Sequence, residues 1–112
     1  MVEVFDLAKE VQPKAGEHVK RVLKEAEDFK VLAVALAAGT SIPPCVMHNH
    51  TVFYFDGGSG RLEVDGEVRA IHHGNLAIVP PGAQRSVIAD EPMTVVAVQV
   101  RPASSSSRPS VD

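Results

Sequence analysis

From Phe29 to Ala38 almost every position is apolar, and Gly39 closes the run. That pattern predicts a buried strand. Val52 to Phe55 is β-branched and aromatic, which predicts a second. Gly57, Gly58 and Gly60 then mark a tight turn or bulge. Leu62, Val64, Val68 and Ala70 flank Asp65-Gly66, a hairpin signal. The apolar pattern favours a three-residue loop with Val64 across from Val68; a two-residue turn would set Val64 against Glu67. Leu76 to Val79 forms a further strand, stopped by Pro80-Pro81-Gly82, and Val95 to Val100 is strongly β-prone. Residues 18–26 read two ways. Val19, Val22, Leu23 and Ala26 fit a helical stripe, and the pattern alone leans to helix. Residues 1–16 read as an edge element and a loop. Many short strands with turn signals every few positions predict an antiparallel sandwich or barrel. Closing the sheet would remove exposed edges.

At 112 residues the chain has the length of one domain. We assign 1–101 to it. The remainder, 102–112, is a Pro/Ser-rich tail that cannot build a core. The formal net charge is -3, and the basic residues between Lys9 and Lys30 alternate with acidic ones, which argues against a nucleic-acid partner. Cys45 is the only cysteine, so no internal disulfide forms, as expected of a reducing compartment. The first 30 residues carry no signal-peptide pattern, and the Val31 to Ala38 run is too short to span a bilayer. The expected setting is cytoplasmic, with no membrane partner.

Two spacings then stand out. Gly39 is followed by five residues, Cys45-Val46-Met47, three residues, Thr51, six residues and Gly58. Further on, Gly74 is followed by five residues, Pro80-Pro81-Gly82, two residues and Arg85. Both match, without a gap, the two motifs of the cupin superfamily, and the chain resembles a small single-domain cupin over roughly residues 18–100. The resemblance implies an all-β antiparallel jelly-roll β-barrel and turns residues 18–24 toward strand. It also implies that Cys45, Met47, Thr51 and Arg85 stand where a cupin carries two histidines, a glutamate and a last histidine, which together hold one metal ion. Thr51 supplies no carboxylate, and Arg85 is a permanent cation with no lone pair for a metal. The metal-ligand positions are degenerate, and no cofactor is expected there.

If these side chains point inward, Cys45 and Met47 form soft wall. Phe53 and Phe55 share the parity of Thr51 and line the same interior. Arg85 becomes an inward cation that needs an acceptor, and a carboxylate or phosphate matches its fork. The expected ligand pocket is therefore Cys45, Met47, Thr51, Phe53, Phe55 and Arg85. Tyr54, of opposite parity, faces away. The structural alternative is that Arg85 snorkels outward or pairs with Glu63, Asp90 or Glu91.

His48 and His50 give a second alternative. Shifted by three residues they align with the His-x-His pair, and residues i and i+2 of a strand share a face, so both could reach a single divalent transition metal. His72 and His73 are adjacent and point apart. Against this stands a reading of all of them as turn histidines near the barrel mouth. Cys45 reads as a buried, inert thiol rather than a nucleophile. Gly57-Gly58-Ser59-Gly60 is no phosphate loop, since no Gly-Lys-Ser/Thr follows.

Three functions stay open. The first is a small-molecule-binding cupin-like protein that holds an anionic ligand through Arg85 without the usual metal. The second is a metal-dependent cupin enzyme, a dioxygenase or isomerase, using His48 and His50. The third is a non-catalytic structural or interaction module. A small core, surplus apolar strand faces and the β-prone Val2 to Leu7 segment predict a homodimer.

Overall fold

The computed structural model describes residues 1–101; the Pro/Ser-rich segment 102–112 lies outside the described residues. The described chain consists of a short helix, α1 (Leu7–Glu10), and nine strands: β1 (His18–Glu25), β2 (Phe29–Leu36), β3 (Ser41–Val46), β4 (His50–Asp56), β5 (Ser59–Val64), β6 (Glu67–His72), β7 (Leu76–Val79), β8 (Gln84–Ala89) and β9 (Met93–Val100). The segment that leaned to helix on pattern is β1, paired antiparallel with β2. Long-range pairing overrides a local stripe of this length.

Every pairing between these strands is antiparallel, and they build two sheets rather than one closed barrel. The first has the order β1-β2-β9-β4-β7, the second β3-β8-β5-β6. The expected barrel is thereby corrected. Closure would need β1 to pair with β3 and β7 with β6, and neither pair forms. The sequence gives a reason at the first seam. β3 carries Pro43-Pro44, two residues without backbone N–H, and its register against β8 breaks between Ile42 and Cys45. β1, facing it, carries Lys20, Arg21 and Lys24 and a register shift between Val22 and Lys24. Charges, prolines and irregular register are what edge strands carry when they are not to pair.

The core lies between the sheets. Phe55, Leu36, Val79, Val87 and Val95 are almost fully buried there, with Thr51 among them. Opposed residues in an antiparallel ladder share a face, so β2, β9 and β4 present matched inward rows: Leu36, Met93; Val34, Val95, Phe55; Leu32, Ala97, Phe53; Lys30, Gln99, Thr51. The rows are apolar until the last. The sandwich therefore has one polar end. On the outer face, α1 and Val11 cover Ala33 and Ala35 in a separate small cluster with Leu7, Val19 and Leu23.

The β5–β6 hairpin also differs from expectation. Val64 pairs with Glu67 and Glu63 with Val68, so the loop is the two-residue turn. Asp65 and Gly66 have φ of 50° and 85°, both left-handed, as a type I′ turn requires; its twist matches the strands it joins. The turn outweighs the apolar match, and Val68 is left half exposed, at 54%. Asp65 is held from the side as well: its N–H donates to the Gln84 carbonyl at 2.8 Å and its carboxylate accepts from the Gln84 N–H at 2.8 Å. The hairpin tip thus fixes β8 one residue before Arg85. Nothing lies within 4 Å of a Cβ added at Gly66, so Gly66→Ala costs backbone strain alone. The expected loss is about 1–2 kcal/mol, read as the shift of a urea midpoint.

Candidate functional site

Arg85 is the centre of the site. It is 4% exposed, on the inner face of β8, between Cys45 of β3 and Val64 of β5. One terminal nitrogen, Nη2, donates to Thr51 Oγ1 across the sandwich at 2.9 Å. Thr51 is fully buried. The guanidinium carbon lies 5.8 Å from the Phe53 ring centroid, within cation–π range. Phe53 in turn stands 6.0 Å from Phe55, tilted by 30°. The other terminal nitrogen, Nη1, is buried and has no hydrogen-bond partner among the described residues. No salt bridge of Arg85 is present among those residues either. Glu63, Asp90 and Glu91 do not reach it; Asp90 pairs with Arg61 and Glu91 accepts from Ser59.

Beside this guanidinium is a cavity of about 230 Å³. It lies at the seam that Pro43-Pro44 and the β1 edge leave open. Its walls are mostly apolar, with Leu32, Val34, Ile42, Phe53 and Val87 prominent. Its polar groups are Arg85, Ser86, Gln99, Lys30 and Lys20. Among the described residues no carboxylate lines it, so its charge is wholly positive. Of the expected pocket residues, Cys45, Met47, Phe53 and Arg85 line this cavity. Thr51 meets it through Arg85. Phe55 does not line it; it sits deeper, in the apolar core. Cys45 is exposed rather than buried, at the mouth, because β3 is an edge strand. Tyr54 faces outward.

Lys20, Lys30 and Gln99 escaped the sequence reading as pocket residues. Lys30 had a signal, since it shares the parity of Leu32 and Val34. Gln99 had the same signal, the parity of Val95 and Ala97, but its place beside Thr51 and Lys30 depends on a register between strands far apart in sequence.

The histidines are elsewhere. His48 and His50 are exposed and border a separate shallow hollow with Pro81, Val100 and Arg101. His73 Nδ1 accepts from the Gly57 N–H at 2.8 Å, and His72 lies against the His73 carbonyl at 3.0 Å. Among the described residues no group of three or more His, Cys, Asp and Glu is placed to hold an ion. The donor set at the four motif positions does not fit the histidine-and-carboxylate metal site of the motif: two sulfur donors stand beside an arginine fixed to a threonine, with neither imidazole nor carboxylate. A larger cleft of about 520 Å³ follows the opposite seam, between β6 and β7. Its arginine, Arg69, is exposed and already paired with Glu67 at 2.6 Å.

Two antiparallel sheets with a cavity at one seam define a jelly-roll scaffold. Solved structures identify the scaffold further. The chain matches an uncharacterized conserved protein with a double-stranded beta-helix domain from Klebsiella pneumoniae, at 23% identity and a TM-score of 0.83, over 92% of this chain and 93% of that one. It matches a cupin superfamily protein from Desulfitobacterium hafniense at 11% identity and a TM-score of 0.81, over 91% and 94%. It matches an RmlC-like cupin protein from Desulfovibrio desulfuricans at 20% identity and a TM-score of 0.82, over 89% and 97%. The chain has the cupin fold. No family model and no curated protein matches it.

Proposed function

We propose that this cupin-fold chain binds a small anionic organic molecule in the β1–β3 seam, with Arg85 and no metal as its electrostatic anchor. The observation that carries this reading is Arg85 Nη1, a buried charged donor without a partner among the described residues. Leaving such a group unpaired costs about 1–3 kcal/mol or more, and a bound anion removes that cost. Thr51 and Phe53 hold the guanidinium in place beside the cavity, so its position is set before the ligand arrives. Lys20 and Lys30 raise the potential at the entrance and favour capture of an anion from solution.

Titration calorimetry of small carboxylates and sugar phosphates, on the wild type and Arg85→Ala, tests the reading. At least one anion should bind the wild type and lose most of its affinity in the variant. Elemental analysis of untagged protein tests the competing enzyme. A stoichiometric transition metal that disappears in the His48→Ala/His50→Ala double variant would overturn the metal-free reading.

The proposed assembly is a homodimer in a cytoplasmic setting. Among the described residues no helix is long and apolar enough to cross a membrane. Tyr54, Leu76 and Ile78 lie on the outer face of the first sheet, with Leu76 and Ile78 62% and 66% exposed. Val2 and Val4 of the N-terminal segment are exposed as well. A second copy would bury both sets. Light scattering at micromolar concentration should return twice the chain mass, and Ile78→Glu should return it to one. A monomeric wild type overturns the assembly and leaves the pocket proposal intact.

A further inference from the structure

We infer that the ligand class is a compact monocarboxylate with an apolar body, held carboxylate-first against Arg85 and closing over Cys45 at the seam. The inference rests on the anion site proposed above and narrows it. Three observations carry it.

The first is the count of charges. Among the described residues one cation, Arg85, is buried; Lys20 is exposed and Lys30 half-buried. A monoanion is neutralised by the single buried guanidinium. A phosphate dianion would bring a second charge into the same apolar surroundings, with only the rim lysines to meet it.

The second is the supply of donors. Nη1 has no partner among the described residues, while Nη2 is committed to the Thr51 hydroxyl. That hydroxyl, having accepted, still has its own hydrogen to donate. Gln99 is next to Thr51 in the cross-strand register and next to Lys30 on the other side, and it lines the cavity. A donor from Arg85 and one from this row satisfy the two oxygens of a carboxylate.

The third is the wall. Away from that polar row the cavity is lined by Leu32, Val34, Ile42, Phe53 and Val87. A sugar body would lose its hydroxyl hydration there without partners. The volume of about 230 Å³ exceeds the roughly 150 Å³ of a dry cavity that holds benzene. It falls below the range of about 300–1,000 Å³ typical of drug-sized ligands. A benzoate- or phenylacetate-sized molecule, or a branched aliphatic acid of similar bulk, fits between these limits. Cys45 lies across the ladder from Arg85, on the same inward face, and is exposed at the mouth. A ligand seated on Arg85 therefore covers the chain's single thiol.

The test uses phenylacetate, phenyl phosphate, glucose 6-phosphate and the uncharged phenylacetamide as probes. Calorimetry gives affinities for the wild type, Arg85→Met and Arg85→Lys. Alkylation of Cys45 by iodoacetamide, followed by intact mass, gives protection. Phenylacetate should bind the wild type at least tenfold more tightly than phenyl phosphate, glucose 6-phosphate or phenylacetamide. It should slow alkylation at least fivefold at saturation, and lose both effects in Arg85→Met. If either phosphate binds as tightly and depends on Arg85, the anion site stands and the carboxylate class is overturned. If phenylacetate binds through Arg85 but leaves alkylation unchanged, the seating at the seam is overturned. If no probe depends on Arg85 in either variant, the anion site falls, and this inference with it. The comparisons among probes, and the protection assay, are made on the wild type and stand even if Arg85→Met does not fold.

Discussion

Arg85→Ala is expected to weaken binding of the pocket's anion by about 1.5–3 kcal/mol, the scale of a hydrogen bond to a charged group. That is roughly ten- to a hundredfold in Kd. Arg85→Lys should recover only part of the loss. An ammonium is a point charge without the planar fork, so it cannot both hold Thr51 and present a second donor in the same plane. Stability should move the other way. Without ligand, Nη1 is a desolvated cationic donor that gains nothing in return. Arg85→Met alone leaves the buried Thr51 hydroxyl without its partner. Arg85→Met with Thr51→Val removes both polar groups and keeps the volume, a replacement that is neutral to stabilising in buried sites. The double variant should melt at the wild-type temperature or several degrees above it and bind no anion. A double variant that melts well below the wild type would show Arg85 to be a structural cation, and would sink the assignment of its burial to ligand binding.

Gly60→Ala is expected to be strongly damaging through lack of space alone. Gly60 is in the middle of the second sheet, paired on one side with Ile71 and on the other with Ala89. Its φ is not left-handed, so strain is not the issue. Space is. A Cβ at this position would run into the Ile88 carbonyl oxygen and come within 3.2 Å of Ala89 Cα, all of it backbone that cannot rotate aside. β8 would have to shift, and β8 carries Arg85. The cost should reach about 3 kcal/mol, the upper part of the usual overpacking range. That is a fall of roughly 12–20 °C in Tm for a chain of this size. Gly66→Ala, with open space and only a strained φ, is the control that separates the two mechanisms. A Gly60→Ala melting point within a few degrees of the wild type would mean that β5 and β8 separate more easily than their close approach implies.

Much of the strand content was legible because it is local. Leu76 to Val79 is a strand to the residue, the runs at Val52 and Val95 each fall within one, and the run from Phe29 to Ala38 outlasts its strand, which ends at Leu36. The parity of Thr51, Phe53 and Phe55 gave the inward face of β4, since alternation holds whatever the strand pairs with. Where two local signals competed, the backbone one won: Asp65-Gly66 dictated its two-residue turn over the match of Val64 with Val68. The stripe in residues 18–26 failed for the opposite reason, because its outcome depended on a partner strand.

The sequence by itself determined that most of the chain is β and where most of its turns fall, and the resemblance to cupins added that Arg85 and Thr51 stand where that family's motifs carry metal ligands. Those follow from residue type and spacing, which act over a few residues. Only the tertiary structure decided that the sheets stay apart, that the seam between β1 and β3 holds a cavity, and that Cys45 stands at its mouth while Phe55 does not reach it. It also decided that Lys30, Gln99 and Thr51 form one polar row beside Arg85. These depend on register between strands up to seventy residues apart in the chain. Such register is set by the sum of all the ladders, and no single stretch of sequence encodes it.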